Sequence, residues 1–249
     1  MKPIIFNQRV TVFTNSFIGY SDAYKQELSS KLTNIEEVGI LQPNFALMVG
    51  PQQIISPNQM PQNAPWFIKV HGIKVEFMPN KIDVVSDLFV ETKEDEISRL
   101  NELTELLARI NAIISIGSIT RMAYAPSFGL EGEDGMSVND YWSSIIRIPD
   151  MANSRKQERM IRYNTICRQN FGEYSNVIVN RVITISEGQR TETKTTPEGK
   201  VDSKTIECVI ISIDINTSGI TGNYLINAVD AFCKKAQIMG QELLAIMNN

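Results

Sequence analysis

Between Arg147 and Arg168 six cationic side chains, Arg147, Arg155, Lys156, Arg159, Arg162 and Arg168, stand against only Asp150 and Glu158, with Tyr163 among them. On a helix Arg155 and Arg159 are one turn apart, and on a strand Arg162 and Asn164 share a face. Guanidinium groups grip phosphate oxygens through two parallel hydrogen bonds, so Arg155, Lys156, Arg159 and Arg162 form a candidate anion-binding site. Its ligand class would be a phosphate, a nucleotide, a nucleic acid or an acidic protein surface. The competing reading is a solvated charged segment whose cations pair with acids elsewhere in the chain.

Other chemistries find less support. His71 is the only histidine, and no G-x-S-x-G stretch accompanies it, so a Ser-His nucleophile has no frame. Neither G-x-x-x-x-G-K-[ST] nor G-x-G-x-x-G occurs, and the glycines at 129, 132 and 135 are separated by acids that repel phosphate. Glu131, Glu133, Asp134 and Asp140 offer oxygen ligands for a hard cation, but the D-x-[DN]-x-[DN]-G pattern is missing and a solvated loop is the simpler reading. The three cysteines, Cys167, Cys208 and Cys233, are far apart with no C-x-x-C, which argues against structural zinc and a disulfide framework. No metal and no cofactor are expected, and no catalytic set is assigned.

The chain has 249 residues, 43% hydrophobic and 21% charged, enough for one large domain or two small ones. A net charge of -4 argues against a dedicated nucleic-acid coat protein, although a local basic patch can sit on an acidic body. The N-terminal stretch has no long apolar core, and no run of 18 apolar residues occurs, so a reduced, cytoplasmic protein without a membrane segment is expected.

The elements that must position these residues are clearest from Trp66 to Leu88. With His71-Gly72 as a two-residue hairpin loop, Val70 pairs with Ile73, Ile68 with Val75 and Trp66 with Phe77. A second turn at Pro79-Asn80 sets Phe77 opposite Ile82 and Val75 opposite Val84. The apolar face so formed needs a cover. Thr92 as N-cap followed by Ile97, Leu100, Leu103, Leu107, Ile110 and Ile114 predicts an amphipathic helix that supplies it.

Upstream, Ile4 to Phe13 reads as a strand, Asp22 to Leu32 as a helix, and Val38 to Leu41 and Leu47 to Ile55 as short strands, before a Pro-rich loop from Ser56 to Pro65. Downstream, strands are expected at Ile119 to Ala125, Met160 to Cys167, Val177 to Ser186 and Lys204 to Asn216, the last of them central. A short helix capped by Ser137 is expected to run through Ile146. Glu187 to Ser203 reads as a long exposed hairpin tip around Pro197-Glu-Gly199. A final helix from about Thr221 to Met247 carries Leu225, Val229, Phe232, Cys233, Ala236, Met239, Leu243 and Met247 at helical spacing. Residues 1–115 and 116–249 thus both read as strand, helix, antiparallel strands, long helix. The expected fold is α+β, with two antiparallel-sheet halves each backed by a long helix and related by pseudo-duplication.

This order of features resembles a sporadically distributed family of uncharacterised bacterial proteins. The resemblance rests on KVEFMPNKIDVV at Lys74–Val85, on the Arg-x-x-Tyr stretch Arg121–Tyr124, and on IISIDIN, with Asp214 near its end, ahead of a long last helix. That family often has an Asn shortly after the Tyr, where this chain has Ala125-Pro126. The resemblance implies no chemistry. It implies the patchy distribution of genes carried by mobile elements, phages or defence loci.

Two functions follow as expectations. The first is a non-enzymatic binding or oligomer-forming protein that presents sheet edges and the 187–203 hairpin to a protein partner or to a second copy of itself. The second is a nucleotide- or nucleic-acid-binding protein or enzyme using the 147–168 segment.

Overall fold

A computed structural model describes residues 3–41, 62–131, 140, 160–195, 201–218 and 222–247. In chain order they form β1 (Pro3–Thr14), α1 (Asp22–Lys31), β2 (Ile35–Ile40), β3 (Trp66–Val70), β4 (Ile73–Met78), β5 (Lys81–Ser86), α2 (Lys93–Ile114), β6 (Ile119–Glu131), β7 (Met160–Phe171), β8 (Tyr174–Thr195), β9 (Val201–Thr217) and α3 (Asn227–Met247). The nine strands make one antiparallel sheet in the order β2-β3-β4-β5-β1-β6-β9-β8-β7. The fold is α+β.

The register read from the alternation is the register observed: Trp66 faces Phe77, Ile68 faces Val75 and Val70 faces Ile73, while Phe77 faces Ile82 and Val75 faces Val84. His71 and Gly72 both have positive φ, 49° and 70°, as a tight hairpin turn with the sheet's own twist requires. All eight apolar residues of this face are buried, and Trp66 and Phe77 stack with ring centroids 4.5 Å apart. The indole N–H of Trp66 donates to the Ile18 carbonyl at 2.8 Å, so the ring is buried without an orphan donor.

The cover is α2. Its N-cap is Thr92, whose hydroxyl accepts the Asp95 amide at 3.1 Å, and Leu100, Leu103, Leu107, Ile110 and Ile114 are buried as the spacing predicts. Ile97 departs from the expected stripe and is 39% exposed. The buried position in that turn goes to Glu96, in phase with Leu100 and Leu103. The last helix, α3, buries Val229, Phe232, Cys233, Ala236 and Met239 but starts later than expected, which leaves Leu225 ahead of it and 58% exposed.

Several elements are longer than their apolar cores suggested. Strand β6 continues through Ala125 to Glu131, so Gly129 is in the ladder opposite Ile4 rather than in a loop. The segment expected to be a long exposed hairpin tip is a paired ribbon, with continuous register from Glu187 opposite Val209 to Thr195 opposite Val201. Strand β9 lies between β6 and β8 and buries Val209, Ile211, Ile213 and Ile215, so it is interior as expected. The strand expected at Leu47 to Ile55, the 137–146 helix except for the helical Asp140, and the Pro197-Glu-Gly199 turn lie outside the described residues.

Candidate functional site

One edge of the sheet is β2, the other β7. Unpaired edges invite further pairing, and proteins guard them with short strands, bulges, charges or proline. Strand β2 is guarded: it has six residues, a register shift between Ile35 and Glu37, and Glu36 and Glu37 in sequence. Strand β7 has twelve residues and no proline, and its register against β8 is unbroken from Met160 to Gln169. Its exposed hydrophobics are Met160 at 69%, Tyr163 at 62% and Ile166 at 68%. Among the described residues no strand pairs with its outer side.

Of the four residues of the expected anion site, Arg162 alone is among the described residues. Arg155, Lys156 and Arg159 lie outside the described residues. Arg162 lies on β7, opposite Thr184, exposed and without an ion pair among the described residues. Arg168 shares its face of the strand and donates to the Asn176 carbonyl at 3.5 Å. The β8–β9 ribbon runs past the last β7 pair, Met160 with Ser186, and past the last β6 pair, Glu131 with Cys208. Among the described residues it therefore continues as a two-stranded arm for seven further pairs, Gln189–Glu207 to Thr195–Val201.

A second cluster was not foreseen from the sequence. Where α2 and α3 cross the centre of the sheet, Tyr124 (β6) donates its hydroxyl to Glu96 Oε1 at 3.4 Å, and Gln241 (α3) donates to Glu96 Oε2 at 3.1 Å. The amide of Gln8 (β1) donates to Tyr124 Oη at 3.4 Å and to the Glu96 carbonyl at 3.3 Å. Gln8, Glu96, Tyr124 and Gln237 are all buried, and Gln8 Oε1 and Gln237 Nε2 have no hydrogen-bond partner. Burial raises the Glu96 carboxyl above its ordinary range, partly offset by hydrogen bonds from Gln241 and Tyr124. Burial, reinforced by Glu96, holds the Tyr124 phenol well above its ordinary value, and burial likewise pushes the Cys233 thiol up. Neither is poised as a nucleophile near neutral pH. The sequence signal was slight: Glu96 and Gln237 are polar residues standing in phase with buried apolar stripes.

The lone histidine is in the β3–β4 turn and lines a cleft of ≈ 290 Å³ with Glu102, Glu105, Leu106 and Arg109 of α2. Arg99 ties α2 to β5, donating from Nε to Ser86 Oγ at 2.7 Å, and also donates from Nη1 to Glu102 on its own helix. Of the acidic loop, Glu133 and Asp134 lie outside the described residues, and among the described residues no group of three or more His, Cys, Asp or Glu is placed to hold a metal ion. Among the described residues no helix is long and apolar enough to cross a membrane. No disulfide joins the three cysteines, and Cys208 and Cys233 are buried. No family model and no curated protein matches the chain.

Proposed function

We propose that this is a non-enzymatic intracellular binding protein that works by associating through its sheet, with a protein partner or with another copy of itself. The observation that carries this is β7: a long edge without bulge or proline over Met160–Gln169, bearing three large exposed hydrophobics. Strand addition to such an edge satisfies main-chain donors and acceptors while side-chain contacts set the partner. The β8–β9 arm adds a second projecting surface beside it. A setting in a mobile element, phage or defence locus is supported by the sequence resemblance alone.

The same reading includes the architecture as two related halves, 1–115 and 116–249. Its support is the strand order. In the first half β1 borders β5, the last strand of its meander, and in the second β6 borders β9, the last of its own; β1 and β6 then meet antiparallel at the centre. Each half ends in a helix of more than twenty residues. Duplication of one unit accounts for both windings.

The second reading, binding of a nucleotide or nucleic acid, is favoured by Arg162 and Arg168 on the same open face of β7. Chromatography of the purified chain with light scattering, read at 260 and 280 nm, separates the two. Nucleic-acid-free protein eluting as an oligomer is expected. A monomer that carries nucleic acid released by salt would overturn the first reading in favour of the second.

A further inference from the structure

We propose that β7 pairs with β7 of a second copy, antiparallel about a two-fold axis through Asn164, so that two nine-stranded sheets continue into one. This rests on the reading of the protein as one that associates through its sheet, and goes beyond it by naming the occupant and the register. With both copies' helices on the same side, only registers that set even-numbered residues opposite even-numbered ones are allowed, since facing side chains point the same way. An axis at Thr165 sets Arg162 directly opposite Arg168 twice, like charge against like. An axis at Ile166 carries the ladder into the register shift between Gln169 and Phe171 and leaves Met160 opposite Gly172 of the β7–β8 turn. The axis at Asn164 does neither; an axis at Tyr163 also does neither, but it shortens the ladder of described residues to 160–166.

In that register Met160 faces Arg168, Ile161 faces Cys167, Arg162 faces Ile166 and Tyr163 faces Thr165. All three exposed hydrophobics fall inside the ladder, and the aliphatic stem of each Arg162 lies along Ile166 of the other copy. The ladder runs over 160–168, within the unbroken register of β7. A second copy suits this edge better than a peptide of unrelated sequence because the strand is complementary to itself. Each cation meets an apolar partner, and the uncharged Asn164 meets its own image.

The test is a charge exchange at Ile166, whose side chain is 68% exposed, so that a polar replacement leaves the fold in place. Sedimentation of the full chain over a range of concentrations should show a monomer–dimer equilibrium. I166K sets a cation opposite Arg162 twice per dimer and should weaken association by roughly tenfold or more. I166E sets an anion there and should retain the dimer or tighten it, with the opposite dependence on salt. An association that the two variants change equally, or not at all, overturns this interface while leaving the self-association reading standing. A wild-type chain that is monomeric at every concentration overturns the pairing together with self-association.

Discussion

Tyr124 hydrogen-bonds to Glu96 across 3.4 Å, and this contact joins β6 to the N-terminal turn of α2 in the interior of the protein. Gln241 reaches the same carboxyl from α3, 145 residues away in sequence. Three elements that share no local pattern therefore converge on one acid. The helix N-terminus favours its charge, but burial disfavours it more.

That balance makes stability depend on pH in a definite direction. The folded-state pKa of Glu96 is raised above its unfolded value of 4.5, so its contribution is fully present below that value and is lost as pH rises through the raised one. Glu96→Gln keeps the shape without the charge. Melting temperatures across the acidic to neutral range should show the variant gaining on the wild type as pH rises. A difference independent of pH would show that Glu96 titrates as an ordinary surface carboxyl.

Phe77 is fully buried and stacked on Trp66. Phe77→Ala should cost about 3 to 5 kcal/mol in chemical denaturation, the usual range for a buried aromatic truncation. A change under about 1 kcal/mol, within the range of a surface substitution, would show that this face is not the core.

Gly72 has a φ of 70°, and a Cβ added there would meet the Arg99 guanidinium at an ordinary van der Waals distance of 3.8 Å, without a clash. Gly72→Ala should therefore lose about 1 to 2 kcal/mol from backbone conformation alone. Gly72→Asn should recover part of it, because Asn tolerates the left-handed region. Equal losses for both would point to a steric cause instead.

If the second functional reading holds, replacing Arg159 and Arg162 together by Ala should weaken binding to a polyanion and flatten its salt dependence, with little change in melting temperature. Fluorescence anisotropy with a labelled oligonucleotide at several salt concentrations reads both. An unchanged affinity with an unchanged slope removes the basic segment from consideration.

The meander was legible because three constraints agreed: alternation from Trp66 to Val70, interrupted at Phe67, and strict alternation from Ile73 to Phe77, a turn pair that tolerates positive φ, and a proline at the next turn. The ribbon beyond Glu187 was not. Its sequence is polar at successive positions, so no period marks it as a strand, and only the pairing of β8 with β9 shows it as one. Strand β7 was found as a strand, but its place at the sheet edge is a property of strand order, which no local pattern carries. Glu96 was hidden for a related reason. An acid in phase with Leu100 and Leu103 reads as solvent-facing until Gln8, Tyr124 and Gln241 are brought to it from distant segments.

The position of β1 has a consequence for how the chain comes to be folded at all. Pro3–Thr14 leaves the ribosome before every other described strand, yet it stands fifth in the order of nine, with β5 on one side and β6 on the other. Its pairing with β5 can form once residue 86 has emerged, and α2 can then dock on the result. Its other side must wait until Ile119–Glu131 is synthesised. Through that interval the nascent chain carries a bare, β-prone edge in the middle of its future sheet, and a pause in translation between these two points is where misassembly between neighbouring nascent chains would begin.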